Sequence, residues 1–183
     1  MSISDLIRKK NMKNSSSHSE EVVVIPFDLD IPWDTGAPEV KLFSTEYKTI
    51  LCYYNFDDAY NENGDISISE RTVLIEFDRC ILHKFGSPND ETLGGHPLYK
   101  KGLKFYSAHV VRNSNWIEEI KNISKIHDRY LPGMYDDMKH YIFCFKDSTY
   151  ECIAENFSFE VLTCSVKEVF LKIYDIMYGG NEI

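Results

Sequence analysis

A chain of 183 residues with 43% hydrophobic and 14% aromatic content can bury one sizeable core and is too apolar to stay disordered. Its formal charge of −9 and pI near 5.1 argue against non-specific nucleic-acid binding, which needs clustered Lys and Arg against phosphate. No apolar run approaches the roughly eighteen residues of a membrane span, and no uninterrupted apolar leader is present, so a cytoplasmic protein away from membranes is expected.

Cys52, Cys80, Cys144, Cys152 and Cys164 are odd in number and irregularly spaced, with no C-x-x-C. That excludes a recognisable disulfide framework or zinc knuckle and predicts small buried hydrophobes. Residues 1–20, with Arg8-Lys9-Lys10 and Ser15-Ser16-Ser17, predict a flexible or loosely docked segment ahead of a single domain over 21–183. Glu21 to Pro26 predicts a short strand closed by its proline. The next stretch, with Pro32, Trp33, Gly36 and Pro38, is irregular with one aromatic anchor.

Strands are expected over 41–46 and 49–54, then an exposed loop from Asp57 to Asp65. The loop's Asp and Asn residues do not follow calcium-loop spacing. Arg71 to Phe77 is a strand with Val73, Ile75 and Phe77 on one face, and Cys80 to Phe85 continues or pairs beside it. Phe85 to Gly102 has no regular period, and a connection that long is often functional. Its Leu93, Leu98 and Tyr99 offer apolar residues with which to dock. Leu103 to Val111 alternates as a strand. Asn113-Ser114-Asn115 supplies capping side chains for a helix over about 115–126 with Trp116, Ile120 and Ile123 inward.

His140 to Glu155 predicts a β-hairpin. A two-residue loop at Asp147-Ser148 sets Phe145 opposite Tyr150, Phe143 opposite Cys152 and Cys144 opposite Glu151. His140 then faces Glu155. Ser165 and Glu168 form a capping box for a helix over about 165–178, whose stripe of Val169, Phe170, Ile173 and Met177 is expected on the hairpin's apolar face. Strands first and helices later, without βαβ alternation, give an α+β fold: a mainly antiparallel sheet packed by two helices.

Three segments, Phe85-Gly-Ser-Pro-Asn-Asp90, Gly95-His-Pro-Leu98 and Asn113-Ser-Asn-Trp-Ile117, precede the hairpin. With His140-Tyr-Ile-Phe and Asp147-Ser-Thr-Tyr-Glu-Cys152 they resemble a group of bacterial proteins without an assigned activity, over about 85–156. The resemblance implies one unit and carries no mechanism.

The chain has no phosphate-binding glycine loop, no H-E-x-x-H and no G-x-S-x-G, which points away from an enzyme. The candidate binding residues are His96, Asn113, Trp116, His140, Asp147, Ser148, Thr149 and Glu151, gathered if the 85–102 loop folds back beside the hairpin. Cys144 with His140 and Glu151 holds the ingredients of a nucleophile and its base, but a cross-strand polar pair explains them as simply. His83, His96, His109 and His127 with Asp90 or Glu91 lack chelating spacing, so neither a metal nor any other cofactor is expected. Two functions remain. The first is a small acidic binding or regulatory protein, of immunity type, neutralising a basic partner. The alternative is a small hydrolase or nucleotide-processing enzyme with its site between the 85–102 loop and the hairpin.

Overall fold

The computed structural model describes residues 21–29, 33–60 and 66–179, and the expected segment 1–20 lies outside them. In chain order the strands are β1 (Val23–Phe27), β2 (Lys41–Ser44), β3 (Thr49–Tyr60), β4 (Ile66–Asp78), β5 (Leu82–Gly86), β6 (Ser107–Arg112), β7 (Lys139–Cys144), β8 (Thr149–Ala154) and β9 (Asn156–Leu162). The helices are α1 (Asn115–Ser124) and α2 (Val166–Tyr178). The fold is α+β and mainly antiparallel. Its strands form a five-stranded sheet, β1-β6-β7-β8-β5, and a four-stranded sheet, β2-β3-β4-β9.

Period-2 alternation dictates how the sheets meet. Leu51, Tyr53, Val73, Ile75 and Phe77 face inward from the four-stranded sheet, against Tyr141, Phe143, Phe145, Tyr150 and Cys152 from the other. Phe143 has no exposed surface and lies edge-on to Phe27, Phe77 and Phe157, with centroids 6.1, 5.7 and 5.8 Å away. The anchor Trp33 stacks on Tyr53 at 5.9 Å.

Each sheet has a second apolar face, and each is covered. On the four-stranded sheet Ile50, Cys52 and Leu74 are capped by Val169 and Ile173 of α2. This corrects the expectation that the 165–178 helix lies on the hairpin: the other sheet covers the hairpin's inner face. The capping box of Ser165 and Glu168 is present. On the five-stranded sheet Val24, Val111, Ile142 and Cys144 are covered by Leu93 and Leu103, with Leu98 and Tyr99 packed alongside. The connection between β5 and β6 is therefore a docked layer containing two short 3₁₀ turns, Asp90–Gly95 and Tyr99–Lys101. Tying its apolar residues down offsets the entropy of so long a connection.

Other expectations also shift. The hairpin pairs Phe143 with Tyr150 and Tyr141 with Cys152, two residues from the predicted register. The Phe145 N–H donates to the Ser148 carbonyl at 2.9 Å, so Lys146-Asp147 are the central turn residues. A shift of two preserves both faces, which is why the apolar face survives the error. Residues 57–60 continue β3, paired with Ile66–Ser69, and 61–65 lie outside the described residues. Residues 103–106 precede β6, and β9 pairs with β4 where no strand was anticipated. Pro26 lies within β1, an edge strand, where a missing N–H is tolerated. In helix α1 Trp116 and Ile120 of the predicted stripe are half-buried, but no side chain is fully buried and Ile123 is 66% exposed, so the stripe is shorter than predicted.

Candidate functional site

The outer face of the five-stranded sheet carries a cross-strand row of His109, Ile142, Glu151 and Lys84, on β6, β7, β8 and β5. Glu151 thus sits in the interior of the sheet and is 7% exposed. A carboxylate in that position needs a partner for each oxygen. His96 Nε2 lies 3.0 Å from Oε1, and His140 Nε2 lies 3.2 Å from Oε2. Lys84 Nζ stands 3.5 Å from Oε1 at the exposed rim.

Each histidine is held from behind. His96 Nδ1 accepts the Leu98 N–H at 3.1 Å, which leaves the proton on Nε2 to be donated to Glu151. His140 stands diagonal to Glu151 in the hairpin register, and its Nδ1 is 2.9 Å from Ser114 Oγ. Ser114 is the N-cap of α1, its Oγ accepting the Ile117 N–H at 3.4 Å. The Trp116 ring meets His140 edge-on with centroids 5.1 Å apart. A chain of contacts therefore runs Ser114–His140–Glu151–His96, from the helix start, through the hairpin, to the docked loop. Above it opens a cavity of about 360 Å³, walled by Pro97, Leu98, Val111 and Trp116.

Burial acts to raise the Glu151 carboxyl. The hydrogen bonds from His140 and His96, and the Coulombic attraction of both rings, outweigh it and hold the group well below the ordinary carboxylate range. Glu151 is an ionised acceptor. Each Nε2 proton is committed to it, so neither of those nitrogens offers a lone pair to a cation. Among the described residues no group of three His, Cys, Asp or Glu side chains is placed to hold a metal ion.

Of the eight candidate residues, His96, Trp116, His140 and Glu151 converge on this cavity. Asn113 adjoins it, but its side chain donates to the Glu21 carbonyl at 3.1 Å. Asp147 and Ser148 belong to the hairpin turn, and Thr149 Oγ donates to the Pro88 carbonyl at 2.8 Å, tying down the loop. The Cys144–His140–Glu151 set does not assemble as anticipated, because Cys144 faces Thr149 in the true register. Burial also pushes the Cys144 thiol up to about 12, which removes it as a nucleophile. His140 faces Ile153 rather than Glu155. His109 and His127 are engaged elsewhere, accepting the Lys104 and Arg129 N–H groups.

Two residues of the site escaped sequence reasoning. Ser114 was legible as a cap, but its second partner lies 26 positions away. Lys84 joins the site only because β5 pairs with β8. No family model, no curated protein and no solved structure matches this chain.

Proposed function

We propose that the protein is a small enzyme of hydrolytic type, acting on a compact substrate held in the cavity above Glu151. One observation carries this reading: an ionised carboxylate, buried beneath an open cavity, with an imidazole N–H on each oxygen. Sheltering that charge in the sheet carries a desolvation cost that stability alone does not call for. A general base, by contrast, needs access on one side and an orienting carboxylate on the other. His140 has that arrangement. Its Nε2–H is donated to Glu151, which stabilises the imidazolium formed when Nδ1 takes a proton. Lys84, 58% exposed at its side chain, supplies a positive charge at the rim. The cavity of about 360 Å³ falls within the size range of small-ligand sites.

The test is turnover of a panel of small esters, amides and phosphate esters by the purified protein, compared with His140→Gln. The expected result is hydrolysis of at least one class, reduced on the order of 100-fold in the variant. No turnover in any class by the folded wild type would overturn the reading.

The charge of −9 supports a second reading, a cytoplasmic binding protein that masks a basic partner. Such a protein would bind a polycationic protein equally well with or without His140→Gln, and would hydrolyse nothing. Among the described residues no helix is long and apolar enough to cross a membrane.

A further inference from the structure

Ser114 does more than a capping residue requires. A cap needs only to accept a helix amide, and Ser114 Oγ accepts that of Ile117. The same oxygen also lies 2.9 Å from His140 Nδ1, with Glu151 on the far side of the ring. We propose that Ser114 is the nucleophile of an acyl-transfer step, taking a small carboxylic ester as substrate, with His140 as its base and Glu151 as the group that orients the base. This rests on the hydrolytic reading above and assigns the reacting atom within it.

One tautomer serves the assignment: when His140 gives an Nε2 proton to the carboxylate and carries its lone pair on Nδ1, the hydroxyl donates to that nitrogen. The imidazole is used in the reverse sense from the commoner serine triad, Nδ1 toward the hydroxyl and Nε2 toward the acid. His96 holds the second carboxylate oxygen and fixes the plane of Glu151, a positioning role. The Ile117 amide, already on Oγ, favours the negative charge that grows there.

The step balances on these groups. As the Ser114 Oγ–carbon bond forms, the hydroxyl proton moves to His140 Nδ1 and the carbonyl electron pair moves onto oxygen. The first-turn amides of Asn115 and Trp116 have no carbonyl four residues earlier in the helix, and both residues line the cavity where that oxyanion would sit. Collapse breaks the carbon–oxygen bond to the alcohol, which leaves with the proton from Nδ1. Water, deprotonated at the same nitrogen, then attacks the acyl carbon. The Oγ–carbon bond breaks, Oγ regains its proton, and the carboxylic acid departs. An ester suits the walls better than a phosphate does: Leu98, Val111, Pro97 and Trp116 accommodate an acyl chain, while the cation Lys84 is already paired with Glu151.

The experiment treats the wild-type protein with a fluorophosphonate, which phosphonylates activated serines, followed by intact mass and peptide mapping. A single adduct on Ser114 is expected, lost in Ser114→Ala and in His140→Gln. Ser114→Asn, which keeps a capping side chain, should also lose the adduct while retaining the wild-type helical signal. An adduct elsewhere, or none on the folded wild type, would overturn the proposal. Ester hydrolysis without an adduct would overturn Ser114 as nucleophile and leave the hydrolytic reading standing. Neither adduct nor hydrolysis would end both.

Discussion

Glu151→Gln replaces one oxygen of the buried carboxylate by an amide donor at nearly constant shape. Two imidazole N–H groups now point at this side chain, from 3.0 and 3.2 Å. Glutamine offers one acceptor, so one donor is left facing another. A hydrogen bond to a charged group is worth about 1.5–3 kcal/mol, and a buried unsatisfied donor costs about 1–3 kcal/mol. Lys84 adds under about 1 kcal/mol, since it is an exposed pair. The expected loss is therefore about 3 kcal/mol, or a fall in thermal midpoint on the order of 6–12 °C for a domain of this size. The pH dependence has a definite sign. The folded carboxyl is held below its ordinary range, so it contributes stability above the unfolded value near 4.5 and loses it as pH falls through the folded one. Urea melts of both proteins at pH 7 and pH 3.5 measure the gap. It should be full at pH 7 and narrower at pH 3.5. A gap under about 0.5 kcal/mol at pH 7 would refute the reasoning, because a buried double acceptor cannot be replaced at so low a cost; so would a gap that widens in acid.

Phe143→Ala empties the centre of the interface between the sheets and should cost about 3–5 kcal/mol, with an unchanged urea slope. Loss of less than about 1 kcal/mol would contradict its full burial. His109 has no exposed surface, and burial lowers it from 6.5 to about 4. The unfolded chain binds that proton first, so stability is complete above pH 6.5 and falls by about 3 kcal/mol on acidification to pH 4. An NMR titration of His109 with a midpoint above 6 would contradict this. Ser165→Ala removes the α2 cap and should cost about 1 kcal/mol, seen as a lower urea midpoint, whereas Ser165→Asp should leave it nearly unchanged.

Elements defined by local chemistry were legible in the sequence. Ser165 and Glu168 announce the start of α2, and the alternation of Val73, Ile75 and Phe77 announces the inner face of β4. The hairpin's faces followed from parity, even though its turn lies one residue earlier than Asp147-Ser148 suggests. What each face meets was not legible. Both sheets offer apolar outer faces, and nothing in the stripe of α2 says that it belongs on Leu74 rather than on Phe143. At the site, His140 and Glu151 stand out because polar residues in apolar strands need partners, and His96 and Trp116 because a long loop folded back beside the hairpin meets the helix start. The pairing among them depends on a docked loop and on β5 beside β8, both long-range. Asp147, Ser148 and Thr149 lie in or beside the hairpin turn and not at the cavity; turn residues resemble site residues in composition.

The distribution of strands between the sheets has a consequence for synthesis. The sheet of β1, β6, β7, β8 and β5 draws on both early and late parts of the chain, as does that of β2, β3, β4 and β9. A nascent chain released only as far as Gly86 holds β2, β3 and β4 with neither β9 on their edge nor a facing sheet over Val73, Ile75 and Phe77. Helix α2, which covers Leu74 from the other side, emerges after strands β1 to β9. A β-rich surface thus stands uncovered on the ribosome until β9 and α2 have followed, an interval in which unpaired strand edges invite association and nascent-chain holdases have a surface to protect.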